Sequence, residues 1–208
     1  MIKNIIFDWT GVINNNIQTA NTAINLMFKS QNVSAISVEE MKREWIQPYM
    51  LFYNKYVPAM GIEEEQELYR LAYNTAKQMY PPKIFSGMLE AITRFKVNNI
   101  KMIIISSDIG LHLFEEIENY GLNGMFDEVF TDVHDKRVGL KDILKKFNFD
   151  ASDSIFIGDT IHEVESGKSV GILTGAVTWG FQNEEDLKNA LPDYIFHNVA
   201  EMEKTILE

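Results

Sequence analysis

The sequence predicts an α/β fold: a parallel sheet core with helices on both faces, interrupted early by an all-helical insertion. Three observations predict it. From residue 84 onward, short apolar runs alternate with stretches of helical spacing, the pattern left by crossovers between parallel strands. The run at residues 3–7 has the apolar character of those later strands and belongs to the same sheet. Residues 15–82 break the rhythm and hold no convincing strand.

The elements follow in order. After the strand at 3–7, the chain enters the insertion through Asn14-Asn15-Asn16. "IQTANTAINLMFKSQ" is amphipathic, and "SVEEMKREW" opens with Ser37 and Glu40 in capping-box spacing. Trp45, Tyr49, Phe52 and Tyr56 recur at helical spacing across Pro48, as residues packed between helices do. "IEEEQELYRLAYNTAKQMY" is a long helical run stopped by Pro81-Pro82, and Lys83 returns the chain to the sheet. "IKMIIIS" (100–106) reads as a buried strand, and "LHLFEEIENYG" (111–121) as a helix closing on Gly121. A strand at 128–131, a helix at 140–147, a strand at 154–158 and a helix at 161–171 come next. A strand at 175–179, a helix at 184–191, an edge strand at 194–197 and a closing helix complete the alternation. Residues 1–14 and 83–208 thus form one unit and 15–82 another.

Bulk properties narrow the function classes. A formal charge of −11 disfavours nucleic acid or an anionic membrane as the main partner, since both ask for a basic footprint. The chain has no cysteine, which excludes a disulfide, a zinc–thiolate centre and a cysteine nucleophile. With no apolar run of membrane-spanning length and no basic-then-apolar leader, the expectation is a soluble, cytoplasmic protein. Composition says nothing about oligomeric state.

The chemistry concentrates at strand ends. In an open parallel sheet, ligands sit beyond the carboxyl ends of the strands. Asp8 follows the first strand, Ser106 ends the second, and Asp159 ends the strand "SIFIG". A helix starting after Asp159 puts Glu163 one turn on, on the same face. Asp8, Asp159 and Glu163 then crowd like charges, and such a cluster takes up protons or holds a cation. All-oxygen donors suit magnesium. Asp108, by contrast, reads as the N-cap of the next helix.

These stretches carry a resemblance. "IIFDWTGVI", "IIISS", a lysine and "FIGDTIHEVESGKSVG" resemble, in order, the four motifs of the haloacid dehalogenase-like hydrolases. The insertion sits where one class of that superfamily carries a cap, and "GAVTWGFQNEEDL" with "PDYIF" resembles its phosphoglycolate phosphatase-like branch. The resemblance implies a Rossmann-like core and a phosphatase or phosphotransferase acting on a small phosphorylated metabolite. It makes Asp8 the nucleophile that forms an aspartyl-phosphate. It gives Mg2+ to the Asp8 side chain, the Thr10 main-chain carbonyl, Asp159 and Glu163. Ser106, Ser107 and main-chain groups near Trp9 would bind phosphoryl oxygens, with Trp9 along the mouth of the site. The motif lysine is Lys136, with Lys141 as the runner-up.

Two positions depart from the family pattern. Glu163 stands where aspartate is usual. Thr10 stands where the family's phosphatases carry an aspartate that protonates the leaving group, a role no threonine hydroxyl fills at neutral pH. Substrates with good leaving groups, or a slow second step, are therefore expected, and Thr10→Asp is expected to raise hydrolysis. "DWTG" is also similar to a stretch of phosphonoacetaldehyde hydrolase, which would need a Schiff-base lysine in the cap, with Lys29, Lys42 and Lys55 as candidates by location. A non-catalytic scaffold binding metal and phosphate is the third reading.

Overall fold

The computed structural model describes residues 1–46, 49–108 and 110–208. Pro48, expected to interrupt the aromatic repeat, lies outside them. The chain divides into two compact units, Met1–Asn15 with Lys83–Glu208, and Asn16–Pro82.

The first unit is built on a six-stranded sheet. Its strands are β1 (Asn4–Phe7), β4 (Lys101–Ile105), β5 (Glu128–Phe130), β6 (Ser154–Gly158), β7 (Leu173–Val177) and β8 (Tyr194–Phe196). They lie in the order β5-β4-β1-β6-β7-β8 and every pairing is parallel. The connections put helices on both faces, and the period-two alternation of each strand serves both. Ile5, Phe7, Met102, Ile104, Ile155 and Ile157 face one core layer. That layer is completed by α5 (Met88–Val97), α6 (Gly110–Asn119) and α10 (Val199–Leu207). Ile6, Ile103, Ile105 and Phe156 face the other, against Leu140 and Ile143 of α7 (Lys136–Phe147). On the same side Val164 of α8 (Ile161–Ser169) and Leu187 of α9 (Glu184–Asn189) pack on Ala176. Two short strands, β2 (Asn14–Asn15) and β3 (Lys83–Ile84), pair antiparallel and tie together the points where the chain leaves and rejoins this unit.

The second unit is helical: α1 (Ile17–Ser30), α2 (Val38–Glu44), α3 (Met50–Tyr56) and α4 (Ile62–Met79). Ser37 caps α2 by accepting from Glu40 N, one half of the expected box. Phe28 of α1 stacks on Phe52 and packs on Tyr56 of α3, and Trp45 packs on Phe52, so Phe52 is core and the half-buried Trp45, Tyr49 and Tyr56 surround it. Among the described residues no helix is long and apolar enough to cross a membrane.

Besides the short strands β2 and β3, which the sequence reading lacks, three elements differ from it. Helix α5 is absent from that reading although Met88, Ala91, Ile92 and Phe95 have helical spacing; its N-cap is Gly87 at φ 83°, with no capping side chain to announce it. Helix α7 starts at Lys136, four residues early, capped by Asp135. Gly139 hides its first turn, and a methyl there would strike Ile105 and Val133, so packing rather than propensity decides that residue. Strand β7 ends at Val177, short of the aromatic Trp179 that drew the expectation onward.

Candidate active site

The central strand β1 lies between β4 and β6, so the residues after these three strands meet at one edge of the sheet. Asp8 N still donates to Ile157 O at 2.9 Å, and Ser106 N to Phe130 O at 2.8 Å. Both residues therefore continue the ladder by one step, and their side chains leave from a rigid base.

After Asp8 the chain turns at once. Trp9 O accepts from the backbone N–H groups of Ile13 and Asn14, and Gly11 N donates to Asn14 O. Gly11 adopts φ 79°, a region open to glycine, and a methyl built on it would overlap the Asp159 carboxylate. The Trp9 ring does not line the site. It is fully buried, stacks on Tyr120 and donates Nε1–H to Glu116 Oε2 at 2.7 Å. Asn14 Nδ2 donates to the same oxygen at 2.9 Å. The indole is consumed in anchoring the turn to α6, because a buried N–H needs an acceptor. What Trp9 contributes at the site is its backbone N–H, directed at the Asp8 carboxylate.

Asp8, Asp159 and Glu163 are all buried, and each offers a carboxylate oxygen within 4.8 Å of the others. Lys136, 4% exposed, inserts its Nζ among them, donating to Asp8 Oδ1 at 2.5 Å and to Ile105 O at 2.9 Å, with Glu163 Oε1 at 3.8 Å. Lys141 is exposed on α7. Glu163 Oε2 accepts from Asp159 N at 2.8 Å and Thr160 N at 3.0 Å, which fixes one oxygen and leaves Oε1 toward the lysine. Asp159 Oδ2 accepts from Phe181 N at 2.6 Å. Methyls on Gly158 or Gly180 would collide with Glu163 or Asp159, so a glycine at the end of β6 and glycines on the loops after β1 and β7 cradle these acids.

Electrostatics describe a set short of positive charge. Burial, reinforced by Glu163, raises the Asp8 pKa to about 7 against the pull of Lys136. Burial, with Glu163 and Asp8, raises Asp159 well above the usual carboxylate range. Burial lowers Lys136, but Asp8 and Glu163 outweigh it and the net direction is upward. One ammonium does not balance three carboxylates. A hard divalent cation does, and the all-oxygen donor set fits magnesium.

Ser106 is buried and Ser107 exposed. Asp108 does not cap α6 as the sequence suggested. Its Oδ2 accepts from Thr10 Oγ1 at 2.6 Å and from Ser106 Oγ at 3.1 Å. Sequence reading missed this residue, and also Gly180, Phe181 N and the anchoring carboxylate of Glu116. Gly180 and Phe181 stand in a stretch that carried the resemblance; the roles of Asp108 and Glu116 depend on folded proximity between residues far apart in the chain.

Comparison with known proteins agrees with this architecture. Residues 5–177 match the family model described as haloacid dehalogenase-like hydrolase. A phosphoglycolate phosphatase from Synechococcus elongatus is 23% identical over 128 residues, 61% of this chain and 60% of that enzyme. The pyrophosphatase PpaX of Listeria monocytogenes is 21% identical over 206 residues, 97% of this chain and 94% of that one. Among solved structures, a haloacid dehalogenase-like family hydrolase from Streptococcus pneumoniae superposes with a TM-score of 0.83 over 98% of both chains at 21% identity, a likeness of fold.

Proposed function

The chain belongs to the haloacid dehalogenase-like hydrolases, and from that premise we propose that it is a magnesium-dependent phosphatase or phosphotransferase using Asp8 as nucleophile on a small phosphorylated metabolite. The observation that carries the reading is the gathering of Asp8, Asp159 and Glu163 around Lys136 at the ends of adjacent strands. Magnesium would be held by the side chains of Asp8, Asp159 and Glu163 and the Thr10 carbonyl. When bound it supplies charge neutralisation for the phosphoryl group and lines up the displacement.

The chain's own residues do the rest. Lys136 holds Asp8 by Oδ1 and offsets charge on both nucleophile and phosphoryl group. An Asp8 carboxylate oxygen attacks phosphorus, the leaving oxygen departs, and an aspartyl-phosphate remains. Water then attacks phosphorus and returns Asp8 as a carboxylate. Because Thr10 offers no acidic proton to the leaving group, acyl phosphates, phosphoanhydrides and aryl esters are favoured over alkyl monoesters. The relative named a pyrophosphatase, whose name implies a phosphate leaving group, is in keeping with that preference.

The test is phosphate release from a panel of phosphorylated metabolites, pyrophosphate and p-nitrophenyl phosphate, with and without magnesium. Turnover only with metal supports the reading; no turnover of any member removes it. Carbon–phosphorus cleavage through a Schiff base is disfavoured, since such a lysine needs desolvation. Lys29 and Lys55 are exposed, and Lys42 is only half-buried.

A further inference from the structure

Two hydroxyls stand at the strand ends beside the nucleophile, on Thr10 and Ser106, and both give their proton to the same carboxylate oxygen, Asp108 Oδ2. Asp108 is held there by the main chain. Its carbonyl accepts from Asp132 N at 3.1 Å, Ser106 O accepts from Val133 N at 2.9 Å, and Asp108 N donates to Ser106 Oγ at 3.0 Å. The carboxylate therefore arrives from the end of β4, buttressed by the loop after β5, and meets the loop that follows β1.

We propose that Asp108 is a positioning residue for the second half of the reaction: by accepting the hydrogen bond of the Thr10 hydroxyl it orients that oxygen to accept one from the water that cleaves the aspartyl-phosphate. This rests on the reading of Asp8 as nucleophile. A hydroxyl whose proton is committed cannot donate toward the reaction, so Thr10 aligns water by accepting from it. In the step itself the water oxygen bonds to phosphorus and the bond from phosphorus to the Asp8 oxygen breaks. One water proton stays on the new P–OH and the other passes to a phosphoryl oxygen, so Asp108 neither gives nor takes a proton in the step. The same orientation gives nothing to the first half, where a leaving group asks for a donor. Through Thr10, Asp108 therefore acts on the dephosphorylation step.

That division makes the inference testable with p-nitrophenyl phosphate and magnesium. For Asp108→Ala, kcat is expected to fall about ten- to a hundredfold, with KM falling in parallel so that kcat/KM is kept. Rapid mixing should show a burst of p-nitrophenol close to one per enzyme as the phosphoenzyme accumulates. Thr10→Val should behave alike, Thr10→Ser should stay near wild type, and the double variant should be no worse than either single one. Should Asp108→Ala fail to fold, Thr10→Val carries the same test. A fall in kcat/KM matching that in kcat, or the lack of a burst in both variants, overturns the inference while the proposed function stands. A wild-type protein that releases no p-nitrophenol overturns both.

Discussion

The two units each bury a carboxylate that burial raises to about 7, and they treat it in opposite ways. In the sheet unit Asp8 shares its surroundings with Lys136, Asp159, Glu163 and Asp108. In the helical unit Glu65 on α4, 4% exposed, is raised by burial and, among the described residues, opposed by the hydroxyl of Tyr53 on α3. The lesson is that a displaced pKa does not mark a reaction centre. The convergence of several charges at strand ends does, because a lone buried acid can stay neutral while a crowded set needs a cation.

The largest effect that sharpens this contrast is the loss of Asp8 itself. Asp8→Asn keeps the shape and removes the charge of the proposed nucleophile, and phosphate release is expected to fall by more than about 10³-fold. A steady-state assay on the best substrate checks it; a variant within tenfold of wild type would make Asp8 as passive as Glu65.

Metal should matter next, and its effect should depend on pH with a definite sign. A carboxylate whose folded pKa is raised binds more protons folded than unfolded, so its contribution to stability declines as pH rises from about 4 to 7. Asp159 shifts in the same direction. A divalent ion removes that decline by replacing the protons. Magnesium is therefore expected to raise the melting temperature more at pH 8 than at pH 5, with chelator as the reference, and Asp8→Asn should shrink the difference. An equal rise at both pH values would show that the ion binds elsewhere.

Much of this was legible in the chain, for local reasons. Alternation of buried strands with helical spacing announces the parallel sheet, and the positions of Asp8, Ser106 and Asp159 directly after strands survive small errors in strand length. Lys136 was harder, since Gly139 masks the first turn of α7 and leaves the lysine looking like part of a loop. Asp108 was misread because an Asp before a helix has a ready local explanation, whereas its actual partner, Thr10, lies 98 residues away. That contact also reverses one expectation. An aspartate at position 10 would set a second carboxylate against Asp108, so Thr10→Asp alone should lower the rate rather than raise it.

A smaller effect is expected from the glycines. Gly180→Ala puts a methyl into the space of the Asp159 carboxylate without touching its charge. The expected result is weaker magnesium binding, by roughly tenfold at least, with kcat at saturating metal reduced less. Titration of activity against magnesium separates the two. An unchanged midpoint would mean that the loop after β7 yields and that Asp159 is held by Phe181 N alone.

The smallest expected effect on chemistry lies in the helical unit, and it completes the contrast. Glu65→Gln preserves size and a hydrogen-bond acceptor for Tyr53 while abolishing ionisation. Below the ordinary glutamate range both residues are neutral, and the variant should match wild type in stability. As pH rises from 4.5 to about 7 the unfolded chain ionises Glu65 while the folded protein still holds it protonated, so wild-type stability declines across that window and the loss is complete above it. Glutamine escapes that loss, so the variant should be the more stable above pH 7, by at most about 3 kcal/mol. Urea unfolding at pH 5 and pH 8.5 measures the gap, and p-nitrophenyl phosphate turnover should be unaltered. If Glu65→Gln instead slowed turnover at unchanged stability, the buried acid of the helical unit would be a working group like Asp8, and the distinction between the two carboxylates would fail.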